Sequence, residues 1–277
     1  MPDWIEEALA GGRLGRAGEQ VIRVLRDEPR FASYATTSQL AERAGVNVAT
    51  VVRAAQHLGF AGWPALRIEL RSRYLASLSA GEVLAEHAPS DADPVQAAVR
   101  SDREALRMLA ATLDVAAVRA IAAALHGARR TLVLGSGTFA APGLQLAHAA
   151  GIMGYDVEMR QSGGTGLVSD LARMGEGDLL ILCDLWRLPR AIASAAEIAV
   201  RRSVRTAVLT DRRDSPLVET AAHVVLVPSE GAGMFPSLAP VMTVVHAILA
   251  ELARVGGERA LRAARENERL WEQAGLF

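Results

Sequence analysis

The sequence has no lysine: its 30 basic residues are all arginine, set against 31 acids for a net charge of −1. Such a balance excludes a global basic field, so any contact with nucleic acid has to come from a local patch. Arginine-only usage looks like a high-GC coding bias and carries no mechanism by itself. A single cysteine, Cys183, excludes an internal disulfide framework and fits a reducing cytoplasm. The opening MPDWIEEALAGG has acids where a secretory signal has basic residues and a long apolar core, so no targeting peptide is expected. The longest apolar runs, VVLV and LLILC, are of strand length, so no bilayer-spanning segment and no membrane partner are expected, and the protein is expected to be cytoplasmic. There is no G-x-S-x-G elbow, no H-E-x-x-H pair and no close His/Cys cluster with metal spacing. The main reading therefore carries no catalytic residue, metal or cofactor. His126, His148, His223 and His246 are scattered singly and read as surface residues, Cys183 as a small buried hydrophobe, and Met153, Met159 and Met174 as core filler.

What is present falls into a helical stretch and an α/β stretch. At 277 residues the chain is about twice the usual domain size of roughly 100–150, so two domains are expected. The most informative stretch is TTSQLAERAGVNVATVVRAAQHLGF, residues 36–60. Thr36 with Gln39 three residues on forms a capping box, Gly45 stands where the chain turns, Val46 plugs the corner, and Asn47 caps a second helix. Leu40, Ala41 and Ala44 face Val51, Ala54 and Leu58 at helical spacing. Asn47, Val48, Ala49, Thr50, Arg53, Gln56 and His57 are left facing outward, a polar and short-chained surface that a DNA major groove can admit. The same pattern also fits a packed helical hairpin with no nucleic-acid role. From Arg43 to Arg73 the chain holds Arg43, Arg53, Arg67, Arg71 and Arg73 against Glu69 alone, the local basic patch that phosphate contact requires.

Residues 1–80 read as all helical, 81–94 as a linker centred on the polar HAPSDADP, and 95–277 as an α/β domain. In the α/β domain a pair of alanine-rich helices precedes the strand-like runs TLVLGSG, DVEMR, DLLILCDL, RTAVLTD and HVVLVPS, most of them separated by helical patterns. Continuous apolar strands alternating with helices define a doubly wound parallel sheet. Two helices, SLAPVMTVVHAILAELARVGG and ERALRAARENERLWEQ, close the chain. A ligand is expected in the crevice at the strand-order switch point. One wall is Gly135, Ser136, Gly137 and Thr138 at a helix N-terminus; the other is Asp184, Trp186, Arg187 and Arg190, whose guanidiniums fit a carboxylate or phosphate. GSGTFA also fits the G-x-G-x-x-A dinucleotide fingerprint, with Asp156 and Glu158 about twenty residues on and Arg160 beside them.

Taken together, these segments resemble the RpiR/MurR family of bacterial transcription regulators over nearly the whole chain. The strongest match is LAERAGVNVATVVRAAQHLGFAGWPALRIEL, including Gly59-Phe60 and Trp63-Pro64. The resemblance implies a helix-turn-helix domain joined to a sugar isomerase (SIS) domain. It also implies binding of double-stranded operator DNA by residues 47–58, control by a small phosphosugar-like effector, and a homodimer or homotetramer. The chain departs from the family where the ligand is read. Phosphosugar-binding SIS domains carry a serine where this chain has Phe139, and an S-x-S-G-x-T turn where it has Cys183-Asp184-Leu185-Trp186-Arg187-Leu188. An acid there opposes phosphate unless Arg187 or Arg190 offsets it, whereas Asp184 and Trp186 suit a neutral polyol or sugar ring, so the expected effector is a sugar, sugar acid or sugar phosphate. Two other readings stay open: a sugar-phosphate isomerase, with Glu230 or His246 as base, or an NAD(P)-dependent enzyme; and a dimerisation module with a vestigial pocket.

Overall fold

The structure is a computed structural model that describes residues 3–9, 14–86, 93–161 and 163–276. It divides into two compact units, Met1–Asp91 and Ala92–Phe277.

The first unit is all helical: α1 (Asp3–Leu9), α2 (Arg16–Asp27), α3 (Pro29–Tyr34), α4 (Thr37–Ala44), α5 (Val48–His57), α6 (Trp63–Ser77) and α7 (Ala80–Glu86). Its core is made of Val21, Leu25, Leu40, Val51, Leu66 and Leu70, all with no exposed surface, and of Trp63, whose indole N–H donates to the Ala35 carbonyl at 3.0 Å. Two helices come in addition to those expected. Pro29 opens α3, where its missing amide costs nothing. The other, α7, corrects the expected 81–94 linker: Ser79 and Glu82 form a reciprocal capping pair, Ser79 N to Glu82 Oε2 at 2.7 Å and Glu82 N to Ser79 Oγ at 3.3 Å. Val83 is buried, and Glu86 receives Arg30 at 2.9 Å, so this segment packs into the first unit instead of connecting. Pro94 already belongs to the next helix, and 87–92, the middle of the expected linker, lie outside the described residues.

In the second unit, α8 (Pro94–Thr112) and α9 (Val115–Gly127) lead into β1 (Thr131–Leu134), α10 (Ala141–Ile152), β2 (Val157–Arg160), α11 (Thr165–Ala172), β3 (Leu179–Asp184), α12 (Arg190–Arg201), β4 (Arg205–Thr210), α13 (Pro216–Thr220), β5 (His223–Leu226) and α14 (Ala239–Gln273). The strands are those expected. They form a parallel sheet of order β2-β1-β3-β4-β5. Side chains alternate across it: Val133, Ile181 and Leu209 join the core built with α9, α10 and α14, while Leu132, Leu182 and Val208 join the core built with α11 and α12. The sheet is thus covered on both faces, as its apolar strands require. The two expected closing helices are one span, broken at Gly257 (φ 47°). This span also corrects the expectation about membrane-length segments. An 18-residue window of α14 reaches a mean hydropathy of 1.3, enough by length and composition to cross a bilayer. Its Val241, Val244, Val245, Ile248 and Leu252 are buried in the core shared with α9 and α10.

Candidate functional site

The α4–α5 pair is fixed by side chains that the sequence singles out. Thr36 Oγ1 accepts from Gln39 N at 3.2 Å while Gln39 Oε1 accepts from Thr36 N at 2.8 Å, and Gly45 turns the chain at φ 64°, a conformation that costs glycine little. Asn47 caps α5 by accepting from Thr50 N at 2.9 Å. Asn47, Val48, Ala49, Arg53, Gln56 and His57 are exposed along α5, whereas Thr50, expected outside, is buried. Its hydroxyl donates to Asn47 Oδ1 at 3.0 Å and accepts from Arg53 Nη2 at 3.0 Å, so the cap residue, Thr50 and Arg53 form one chain that orients the Arg53 guanidinium. The basic patch is smaller than its arginine count. Arg43 is bound to Glu28 at 2.6 Å, Arg71 stacks over the Tyr34 ring at 4.1 Å, and Arg73 binds Glu69 at 2.7 Å while lying over Trp4 at 4.2 Å. Aromatic faces that the sequence gives no reason to pair with arginines hold Arg71 and Arg73 within the helical unit. Arg67 is half-buried on α6.

The chain leaves β1 toward the α10 face and β3 toward the α12 face, so the switch point lies between these two adjacent strands, and the two expected loops flank it. On the β1 side Gly135 is obligatory, because a Cβ there would lie 2.5 Å from the Phe139 carbonyl oxygen. Gly137 (φ 57°) and Thr138 are exposed, Ser136 is half-buried, and a 3-10 turn over Gly137–Ala140 precedes α10. On the β3 side the placement of Asp184 differs from the expectation. It is the last residue of β3, 2% exposed, and its carboxylate accepts from Ser215 Oγ, at the start of α13, at 2.6 Å. Burial raises its pKa, opposed by the Ser215 hydrogen bond. Cys183, on the opposite face of β3, is buried with its thiol pushed up to about 12 by burial, a small hydrophobe as expected.

Trp186 is the centre of a tight turn: its φ is 69°, and Arg187 N donates to Leu185 O at 3.0 Å, the strained form of γ-turn. The Arg187 guanidinium lies over the Trp186 ring at 4.6 Å, and Arg187 and Arg190 are both exposed. Asp211 and Ser229, the final residues of the runs RTAVLTD and HVVLVPS, also stand at this edge, and no local sequence pattern singles them out. Asp211 Oδ2 accepts from the Trp186 amide at 3.1 Å and from the Ser229 hydroxyl. Burial pushes the Asp211 carboxyl up to about 6, against the pull of Ser229, the Trp186 amide and Arg212.

Of the acids near the dinucleotide fingerprint, Asp156 precedes β2 and Glu158 is its second residue, so neither ends the strand. The carboxyl end of β2 is Arg160, which is bound with Arg173 to the buried Asp170, while Glu158 sits two residues back and takes Arg130 at 2.8 Å. Of the bases considered for isomerisation, Glu230 is half-buried in the loop after β5 and His246 is exposed on α14. His148 is exposed as expected; His126 and His223 are half-buried, and His126 Nδ1 is 2.8 Å from the Tyr155 hydroxyl. A cavity of about 690 Å³ opens at the other, amino-terminal edge of the sheet; of its two carboxylates, Glu176 and Asp178, Asp178 is already held by Arg129 and the Gly175 amide.

The rpiR-family helix-turn-helix domain matches residues 10–77 and the SIS domain matches residues 124–251. The uncharacterized HTH-type transcriptional regulator YfhH of Escherichia coli (strain K12) is 24% identical over 224 residues, 76% of each chain. The sugar isomerase domain of an RpiR transcription factor from Sphaerobacter thermophilus is 33% identical, covers 64% of this chain and 98% of its own, and superposes with a TM-score of 0.60. The Vibrio vulnificus NanR protein, solved complexed with ManNAc-6P, is 18% identical over 98% of this chain and 99% of its own, with a TM-score of 0.59, a likeness of fold. A helix-turn-helix unit followed by a SIS unit defines a transcription regulator. The chain belongs to the RpiR family of these regulators.

The raised carboxyl of Asp211 has a stability consequence. Its pKa of about 6 in the fold exceeds the roughly 3.9 of an unfolded aspartate, so its contribution is full below pH ~4 and is lost as pH rises through about 6. Denaturant titrations of wild type and Asp211→Asn at pH 5 and pH 7 should show the wild type losing about 1 kcal/mol relative to the variant. An equal response of the two proteins would contradict the assignment.

Proposed function

We propose that this regulator binds operator DNA as a homodimer through α5 and is controlled by an anionic sugar derivative, a sugar phosphate or sugar acid, held at the carboxyl edge of the sheet. For DNA the supporting observation is the exposed face of α5. Asn47, Arg53 and Gln56 offer hydrogen bonds to base edges, Val48 and Ala49 offer apolar contact to thymine methyls, and His57 lies at the helix end. Arg67 is the arginine of α6 assigned to phosphate, while Arg71 and Arg73, stacked on Tyr34 and Trp4, serve the helical unit. Two copies present two such helices to half-sites about one helical turn, roughly 34 Å, apart.

For the effector, the observation that carries the reading is the placement of Asp184. With its carboxylate turned onto Ser215, the acid that would repel an anion is withdrawn, and the exposed Arg187 and Arg190 give the loop a net positive charge. Trp186 beside them gives a flat surface for a sugar ring. The sugar phosphate bound by the NanR protein, a relative of the same fold, is consistent with this class of ligand. A ligand changes operator affinity only by binding one state of the protein better than another, so the effector must distinguish DNA-competent from DNA-incompetent forms.

Fluorescence anisotropy on the protein's own promoter region should give salt-sensitive binding stronger than to random DNA, and Arg53→Ala should weaken it by about 1–3 kcal/mol. Equal affinity for both DNAs would sink the reading. In a thermal-shift screen with sugars, sugar acids and sugar phosphates, the anionic compounds should raise the melting temperature, and Arg187→Ala should abolish the rise. A response confined to neutral sugars would reject the anionic class.

A further inference from the structure

Three loops leaving the carboxyl edge of the sheet converge on one buried carboxylate. Asp211, directly after β4, accepts the backbone amide of Trp186 from the loop after β3 and the hydroxyl of Ser229 from the loop after β5, both on Oδ2. Its other oxygen, Oδ1, is sealed from solvent and has no hydrogen-bond partner among the described residues. The residue that Asp211 holds is Trp186, a large side chain at φ 69°, and a backbone of this kind persists only where its surroundings over-determine it. Released, Trp186 would relax toward negative φ and carry the stacked Arg187 with it.

We propose that Asp211 is the positioning residue of the effector loop: by carrying the Trp186 amide and the Ser229 hydroxyl on one oxygen, it holds the strained turn that sets where the Trp186 indole and the Arg187 guanidinium meet a ligand. The proposal rests on the crevice being the effector site and adds the group that shapes it. Asp211 makes no contact with the ligand; it acts through the turn. Its orphan oxygen makes the hold sensitive to protons. A proton on Oδ1 neutralises the carboxyl and turns Oδ2 from an ionised into a neutral acceptor, roughly halving the strength of the bond to the Trp186 amide. The groups acting on Asp211 are Arg212, its chain neighbour, and the Ser229 hydroxyl and Trp186 amide, all favouring the anion, with Asp184 at the end of β3 opposing it. Burial outweighs the favourable contacts and brings the titration to about 6, within reach of ordinary acidification.

The test follows the Trp186 emission of the full chain from pH 5 to pH 8 without any ligand, obtained by subtracting the signal of Trp186→Phe, since Trp4, Trp63 and Trp271 also emit. Wild type should show a transition near pH 6. Asp211→Asn, which keeps an acceptor and cannot ionise, should show none. Ser229→Ala removes a donor that favours the anion and should move the midpoint upward by about half a pH unit or more. A flat Trp186 signal in wild type, or a transition unchanged in the variants, overturns the proposal. Should Asp211→Asn fail to fold, the Ser229→Ala midpoint decides alone, and an unmoved midpoint overturns it. Because no ligand is present, a failed ligand screen leaves this outcome standing, and a negative outcome here leaves the effector crevice standing.

Discussion

All strands of the sheet run parallel, so every carboxyl end opens on one edge, and the order β2-β1-β3-β4-β5 reverses between β1 and β3, where the chain departs to opposite faces. That constraint shapes the candidate site of the second unit. It brings the glycine turn after β1 beside the Trp186 loop after β3, and it stacks Asp211 and Ser229, from the ends of β4 and β5, behind that loop. The two apolar cores on the faces of the sheet hold the strands in register, which leaves the edge loops free to differ from one family member to the next. Here the loop after β3 carries an aromatic ring and a guanidinium, and its turn is held by a buried acid.

The helical unit meets a different requirement with few residues. A helix presents its side chains in fixed directions only if it begins at a defined residue, and Asn47 both caps α5 and, through Thr50, tethers Arg53. Burying Thr50 costs one outward side chain and returns a guanidinium with a fixed base of support. Arginine is shared between two jobs. Arg53 lies on the exposed face, while Arg71 and Arg73 are held by the aromatic rings of Tyr34 and Trp4, so the charge near α5 cannot be read from a count of basic residues.

Most of the fold is legible in local sequence patterns. The capping box at Thr36, the turn at Gly45, the cap at Asn47 and the strand runs are short-range signals, and the structure has each of them. The Ser79–Glu82 box is of the same kind but is masked by HAPSDADP just beyond it, which reads as connecting chain. What is not legible depends on partners far apart in sequence. Nothing near Asp184 announces that Ser215 will draw its carboxylate inward, nor does anything near Trp186 announce that Asp211 will hold its amide. The membrane-length stretch of α14 is hidden for another reason: its apolar residues are spread among polar ones at helical spacing, so no continuous run marks it.

On the proposed function, an anion in the crevice alters the affinity of α5 for DNA. The measurement that bears on it most directly is the dissociation constant of the full chain for its operator, with and without a saturating amount of the sugar phosphate or sugar acid that most stabilises the protein. A change of about fivefold or more, in either direction, is what the account predicts. An operator affinity that stays the same while the ligand is bound would contradict it.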